Sequence, residues 1–242
     1  MYELTELNKY MLYPKNMVYY LKEIVEQRNN EKHEIKDKKR CIRYNKNYFV
    51  PGNKDKLFWI FYVLKFGFEK YELLGSSVFQ EEKSIKLELI QHVKAKTKML
   101  KEIYNFKRLD VCESELLNEE LISLKTFHVL CIIHNINILY INDKIYCKLY
   151  LYDDDGEDAF VIQKIGEDYV YEVDPRKEIV MNYIETKFEI NNYDKPIKSV
   201  SSYKLQELKD MAEEIKLPSS DLQLKKVELY NKICETLNIV NK

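Results

Sequence analysis

Residues 123–142 read SLKTFHVLCIIHNINILYIN, and the hydrophobic period changes within this stretch. Up to His134 the apolar residues recur at helical spacing, as Phe127 and Leu130 do. After Asn135 a short run of β-branched and aromatic residues, ILYI, is typical of a strand. A helix that passes directly into strands predicts an α+β fold, with a helix-rich body and a C-terminal sheet.

Three more strand-like segments follow, KIYCKLYLY (144–152), AFVIQKI (159–165) and YVYEVD (169–174). Turn-forming residues separate the segments at Asn142 and Asp143, at residues 153–156 and at residues 166–168. We therefore predict four consecutive strands that form an antiparallel meander.

Upstream of this region the sequence predicts helices. The most apolar segment, DKLFWIFYVLKF (55–66), predicts a buried helix. We expect Asp55 to be its N-cap, Gly67 to end it and Trp59 to lie in the core. Further helices are predicted for residues 1–30, where Pro14 separates two of them, for residues 80–107, as one basic helix or a pair, and for residues 115–134.

The C-terminal residues form a pattern of their own, SSYKLQELKDMAEEIKLPSSDLQLKKVELYNKICETLNIV from Ser201 onward. Apolar residues recur at helical spacing on both sides of a break at Leu217 and Pro218. We predict an α+β domain of residues 1–195, followed by a helix–loop–helix within residues 196–242. The residues expected on its apolar faces are Leu205, Leu208, Met211, Ala212, Ile215, Val227, Tyr230, Ile233 and Leu237.

Composition limits the possible functions. Lys and Arg number 39 against 40 Asp and Glu, so any nucleic-acid binding requires a local basic patch. The 5 cysteines form no CxxC pair, which disfavours a zinc site and a secreted disulfide framework. The apolar runs are far shorter than the ~20 residues of a membrane helix. We expect a soluble, intracellular protein that has no cofactor, no metal and no membrane partner.

Three clusters of residues allow a chemical interpretation. Cys131 lies three residues from both His128 and His134, although its apolar neighbours favour a buried thiol. The acidic residues 153–158 surround one glycine, and their spacing favours a hairpin turn over a calcium loop. Eight Lys and Arg within residues 83–108 predict either phosphate contacts or a solvated helix face.

The segment PGNKDKLFWIFYVL (51–64) resembles the nucleophile loop and helix of OTU-type papain-like cysteine proteases, whose pattern is near D-G-N-C-L-F. Residues 123–141 and the strands after them resemble the late helix–strand step of the same family. The resemblance implies a papain-like body with Lys56 in the cysteine position. The late strands, where the family carries its histidine, have none. No catalytic residue is therefore expected; the alternative is a peptidase or deubiquitinase with displaced catalytic residues.

The C-terminal residues resemble a SAP module, a helix–loop–helix that binds nucleic acid through basic side chains and backbone N–H groups. The segment 203–218 is similar to its first half and KKVELYNKI (225–233) to its second, although Lys216 and Leu224 stand where glycines are usual. The resemblance implies DNA rather than RNA as ligand, held by Lys204, Lys209, Lys225, Lys226 and Lys232. The residues alone leave open a hairpin that packs on the body or docks a protein partner.

The composition also suggests a source. There are 20 Tyr against 5 Gly and 5 Pro, a skew that A/T-rich genomes produce. Together with the papain-like body and the SAP-like tail, this skew resembles a protein type of large cytoplasmic DNA viruses. The resemblance implies a nucleic-acid-associated or virion protein of the host cytoplasm, and the oligomeric state stays open.

Overall fold

A computed structural model describes residues 47–152 and 158–239 of the chain. The helices predicted within residues 1–30 and most of the acidic residues 153–158 lie outside these ranges. The described elements are β1 (Tyr48–Phe49), α1 (Lys56–Phe66), α2 (Phe68–Glu72), α3 (Val78–Ala95), α4 (Thr97–Glu102), α5 (Leu109–Asn118), α6 (Leu124–Ile133), β2 (Ile138–Asn142), β3 (Ile145–Leu149), β4 (Phe160–Ile165), β5 (Asp168–Glu172), α7 (Lys177–Thr186), β6 (Phe188–Glu189), α8 (Leu205–Glu214) and α9 (Lys226–Thr236).

The α+β prediction is confirmed, but the predicted antiparallel meander is wrong. The sheet of the described residues is mixed, with the order β1-β5-β4-β2-β3-β6. The pairs β2–β3 and β4–β5 are antiparallel, whereas β4 lies parallel to β2, with Phe160 opposite Ile138. Strands β3 and β4, which follow each other in the sequence, are therefore not neighbours in the sheet.

The lengths of the connections explain this arrangement. Two residues join β2 to β3 and β4 to β5, as antiparallel hairpins require, whereas residues 150–159 separate β3 from β4. The longer connection allows β4 to pair with the free edge of β2. As a result β2, whose first four residues are buried, has hydrogen-bonding neighbours on both sides.

The two outermost strands have no signal in the sequence. β1 pairs antiparallel with β5, and β6 pairs parallel with β3. Each contains two residues, which is too short for a period-2 pattern to be recognised. Their pairing is determined by the positions that the neighbouring elements give them in the fold.

Helix α1 confirms the predicted buried segment. The Asp55 carboxylate caps it by accepting from Phe58 N at 3.2 Å. Gly67 ends it with φ at 87°, in the left-handed region that favours glycine. Trp59 is fully buried, and its ring centroid lies 5.1 Å from that of Tyr62. Residues 57–63 are all buried, so the helix is covered on all sides there, and only Lys56 and Lys65 interrupt its apolar sequence.

The single helix predicted for residues 115–134 is wrong, because the structure divides it into α5 and α6. Ser123 begins α6, and its Oγ accepts from Thr126 N at 3.2 Å. Glu115 on α5 reinforces this start, since its Oε2 accepts from Ser123 N at 2.8 Å and from Thr126 Oγ1 at 2.6 Å. A satisfied N-cap therefore overrides a continuous helical period. The basic stretch forms α3 and α4, one of the two predicted alternatives.

The sheet carries apolar side chains on both faces. One face joins the main core through Ile138 and Ile162. The other packs against α7, where Leu139 and Val161 meet Ile184. This double coverage explains why the central strands read as almost continuous apolar runs.

Helices α8 and α9 confirm the predicted C-terminal helix pair, and we call residues 205–236 the C-terminal hairpin. Leu208, Leu229 and Ile233 are fully buried in the main hydrophobic core. Val227 corrects a prediction, because 57% of it is exposed. It lies in the first turn of α9, about 90° from the centre of the buried face, given 100° per residue.

Candidate nucleic-acid interface

Lys56, at the position that resembles a protease nucleophile, and its neighbour Asp55 make hydrogen bonds that connect parts of the fold. Lys56 Nζ donates to the carbonyl oxygen of Pro51. The neighbouring Asp55 carboxylate accepts from Ile122 N at 3.2 Å and from Lys86 Nζ at 3.0 Å, in addition to its helix cap. Burial raises the pKa of Asp55, although Lys86 acts against this rise. The carboxylate thus joins three elements and has no free face for a substrate.

The cysteine–histidine cluster has the wrong electrostatics for nucleophilic catalysis. Cys131 is fully buried, and burial raises its pKa well above the ordinary thiol value. Burial also lowers the pKa of His128 to about 4, and its Nδ1 lies 3.3 Å from the hydroxyl of Tyr193. A reactive pair needs a thiolate beside an imidazolium. Both of these groups are held in their neutral forms.

The structure distributes the five predicted lysines over both helices of the hairpin. Lys204 and Lys225 are the N-cap residues of α8 and α9, and both are exposed. Their backbone N–H groups donate to the protein's own carboxylates, Glu207 at 2.6 Å and Glu228 at 3.3 Å. These two N–H groups are therefore engaged, and only the side chains of Lys204 and Lys225 are available to bind a phosphate.

Acidic neighbours weaken the field around several of these lysines. Lys225, Glu228, Lys232 and Glu235 alternate along one stripe of α9, and Lys232 Nζ lies 3.8 Å from Glu235. Lys209 lies on α8, whose exposed residues include Glu207, Asp210, Glu213 and Glu214. Phosphate binding depends on net positive potential, and acidic neighbours lower that potential around Lys209 and Lys232.

Residues 195–204, KPIKSVSSYK, form a basic segment that precedes the hairpin, and we call it the lysine loop. It contains three lysines and no acidic residue, and Lys195, Lys198 and Lys204 are all exposed. Of its three lysines only Lys204 is among the predicted contacts, because Lys195 and Lys198 lie outside the predicted helices. The missing signal was the absence of acids from residue 195 to residue 206.

One tyrosine hydroxyl closes the lysine loop on itself, and a second holds it against the hairpin. The N–H of Lys198 donates to the hydroxyl of Tyr203 at 3.0 Å, and the hydroxyl of Tyr230 donates to the carbonyl of Lys198 at 2.9 Å. Tyr230 is a buried residue of α9. The backbone of Lys198 is thereby fixed from both sides, while its side chain stays exposed.

The hydrogen bond between the Tyr230 hydroxyl and Lys198 also places part of α9 next to the lysine loop. Lys226 lies one turn before Tyr230 on the same side of α9, and helical side chains lean toward the helix N-terminus. The Tyr230 hydroxyl, and with it Lys198, therefore lies on the Lys226 side of the helix. Lys198 and Lys226 lie far apart in the sequence, so their presence on one side of α9 results from the fold.

Three of the eight basic residues within 83–108 pair with other parts of the protein. Lys86 is buried in an ion pair with Asp55 and Glu82. Lys94 Nζ lies 3.6 Å from Glu113, and Lys96 donates to the carbonyl of Ile133 at 2.7 Å. The other five, Lys83, Lys98, Lys101, Lys107 and Arg108, are exposed, which fits both a solvated helix face and phosphate contacts.

Searches of protein-family models, curated proteins and solved structures give no significant match to this chain. Within residues 47–152 and 158–239, no three His, Cys, Asp or Glu side chains are grouped so as to hold a metal ion. None of the helices described there has both the length and the apolar character needed to cross a membrane.

Proposed function

We propose that this protein is a non-catalytic nucleic-acid-binding protein that contacts DNA phosphates through the lysine loop and the start of α9. The observation that carries the proposal is the acid-free segment with Lys195, Lys198 and Lys204, anchored by Tyr203 and Tyr230. A fixed backbone reduces the entropy that is lost when lysine side chains bind a phosphate chain.

The proposal keeps three of the five lysines implied by the SAP-like resemblance and adds two others. Lys204, Lys225 and Lys226 remain candidate contacts, joined by Lys195 and Lys198. Lys209 and Lys232 lie beside acids and serve as a natural comparison. The sequence resembles a protein type of large cytoplasmic DNA viruses, in which such a protein would bind DNA in the virion or the host cytoplasm.

The competing peptidase function lacks support from the geometry around Lys56 and Cys131. Asp55 is saturated by three donors. Burial also raises the pKa of Cys147 to about 12, as it raises that of Cys131. These contacts favour a binding role for the body over a thiol reaction.

Matched double substitutions test the proposal. Lys198→Ala with Lys204→Ala should weaken DNA binding at low salt and reduce the salt dependence by about one unit of slope per lost phosphate contact. Lys209→Ala with Lys232→Ala removes the same charge and should leave binding near the wild-type level. Fluorescence anisotropy with labelled DNA measures both. Equal losses in the two variants would contradict the assignment to the lysine loop.

Charge reversal tests the contribution of α9. Lys225→Glu with Lys226→Glu should weaken binding to every DNA sequence alike, because phosphate contacts carry no base information. The helical circular-dichroism signal should persist, since neither side chain is fully buried. If the protein retards no nucleic acid at all, the hairpin is a packing element or a docking site for a protein.

A further inference from the structure

A cavity of about 710 Å³ opens beside the lysine loop. It lies between strands β2 and β3, the segment that precedes α8, and the end of α9 and the residues after it. Its walls include three tyrosines, Tyr140, Tyr193 and Tyr230, and two asparagines, Asn142 and Asn238. Its volume falls within the range of ~300–1,000 Å³ that small-molecule sites occupy.

We infer that this cavity receives one unstacked base of a single-stranded nucleic acid, while the adjoining phosphate binds at Lys195 and Ser199. The inference rests on the proposed function, because it says which form of nucleic acid binds this same surface, a single strand, and where one of its bases lies. Lys195 and Ser199 carry the connection, since both line the cavity and both belong to the lysine loop.

The tyrosines provide rigid aromatic walls. The hydroxyl of Tyr193 lies 3.3 Å from His128 Nδ1, and that of Tyr230 is bonded to the carbonyl of Lys198. Tyr140 and Tyr230 are buried, whereas Tyr193 is only half-buried. The ring of Tyr193 is therefore the one available for stacking on a base, which is how proteins hold single strands without sequence preference.

Polar groups in the cavity match the edge of a base. The side-chain amide of Asn142 makes no hydrogen bond to any described residue, so both its donor and its acceptor are available. Asn238 Nδ2 donates to Asp143 at 2.6 Å, which leaves the Asn238 carbonyl oxygen free to accept. Asp194, the one acid among the described lining residues, adds a further acceptor for an exocyclic amino group.

Only an unpaired base fits this arrangement. The cavity is a concave site walled by the protein, whereas a base within a duplex is stacked and paired on its hydrogen-bonding edge. A duplex would have to extrude the base at an energetic cost, and a single strand would not. The lysine loop alone would bind single and double strands through their phosphates, so the cavity is what favours single strands.

The test compares full-length protein on two single-stranded DNA oligomers of equal length, one with bases and one abasic throughout. Stacking of one base is worth roughly five- to a hundredfold in affinity, so the oligomer with bases should bind at least about fivefold more tightly. Tyr193→Leu should remove most of this difference. Tyr152→Leu, at an exposed tyrosine outside the cavity lining, should preserve it.

The outcomes separate this inference from the proposed function. Equal, salt-sensitive binding of both oligomers by wild-type protein would overturn the base site and leave the phosphate contacts intact. Binding of neither oligomer, with a mononucleotide still held and lost in Tyr193→Leu, would keep the cavity as a nucleotide site and overturn the nucleic-acid function. Binding of none of the three ligands would overturn both. The wild-type comparison needs no variant, so a misfolded Tyr193→Leu protein does not obscure it.

Discussion

At the scale of the single residue, Asp55 does more than cap a helix, which is the one role that the sequence predicts for it. Its carboxylate caps α1, accepts the N–H of Ile122 and pairs with Lys86, which also lies 2.8 Å from Glu82. Burial acts to lower the pKa of Lys86, but the hydrogen bond to Glu82 and the attraction of Asp55 raise it overall. Asp55 is thus a structural joint between α1, α3 and the segment before α6.

Asp55→Ala should lower the free energy of unfolding by about 3 kcal/mol, because it leaves Lys86 buried with one partner and two N–H groups unpaired. Urea denaturation measures the change. Glu120→Ala is the control, since it removes an exposed carboxylate paired with Lys54 and should leave the urea midpoint unchanged. Similar losses for both variants would show that the Asp55 network carries no special weight.

Stability should fall as the pH drops from about 6.5 to 4, because burial lowers the pKa of His128 to about 4 from the ordinary value of 6.5. Above pH 6.5 the ring is neutral in both states; below it, the unfolded chain takes up a proton that the folded chain refuses. The full shift corresponds to a loss on the order of 3 kcal/mol.

Urea unfolding at a series of pH values measures this effect. His134, whose pKa is also lowered to about 4 by burial and by Lys65, His92 and Lys96, adds to the same trend. A His128→Asn variant should lose stability less steeply over this pH range than wild type. Parallel curves for the two proteins would mean that His128 does not titrate as described.

Thiol labelling tests the peptidase alternative at residue scale. In a Cys41→Ser background, the native protein should not react with a maleimide or a peptide-type thiol probe. The reason is that Cys112, Cys131, Cys147 and Cys234 are all buried. Urea should expose all four. Rapid labelling of one of them by the peptide-type probe in the native protein, abolished when the protein is denatured before the probe is added, would revive a catalytic thiol.

At the scale of the element, α9 shows how a helical period can misassign one position. Val227 and Ile233 both fit the spacing, yet Ile233 is fully buried and Val227 is mostly exposed. The period identifies an apolar face but not where along the helix the rest of the protein covers it. The first turn of α9 extends beyond that cover, which leaves Lys226 and Val227 accessible beside the lysine loop.

Ile233→Ala should lower the free energy of unfolding by about 2–5 kcal/mol, whereas Val227→Ala should change it by less than about 0.5 kcal/mol. Because both hairpin helices share the main core, the loss should appear as a shift of a single cooperative transition. A separate early transition in Ile233→Ala, with the main one unmoved, would indicate an independently folding tail and support a domain boundary at residue 195.

At the scale of the whole molecule, the sequence predicted what local chemistry determines. Helix α1 followed from Asp55, Gly67 and an apolar run between them, and the C-terminal helices followed from their period. The strand order did not, because the choice of β2 rather than β3 as the neighbour of β4 is tertiary. The cavity escaped for the same reason, since residues from β2, from the segment before α8 and from α9 meet only after folding.

The most direct test of the central claim is a salt titration of DNA binding by the full-length protein. At low salt the protein should bind labelled DNA, and the logarithm of the affinity should fall linearly with the logarithm of salt concentration, with a slope near one per phosphate contact. Four or five contributing lysines predict a slope of about −3 to −5. Absence of binding at low salt, where phosphate attraction is strongest, would contradict a nucleic-acid function.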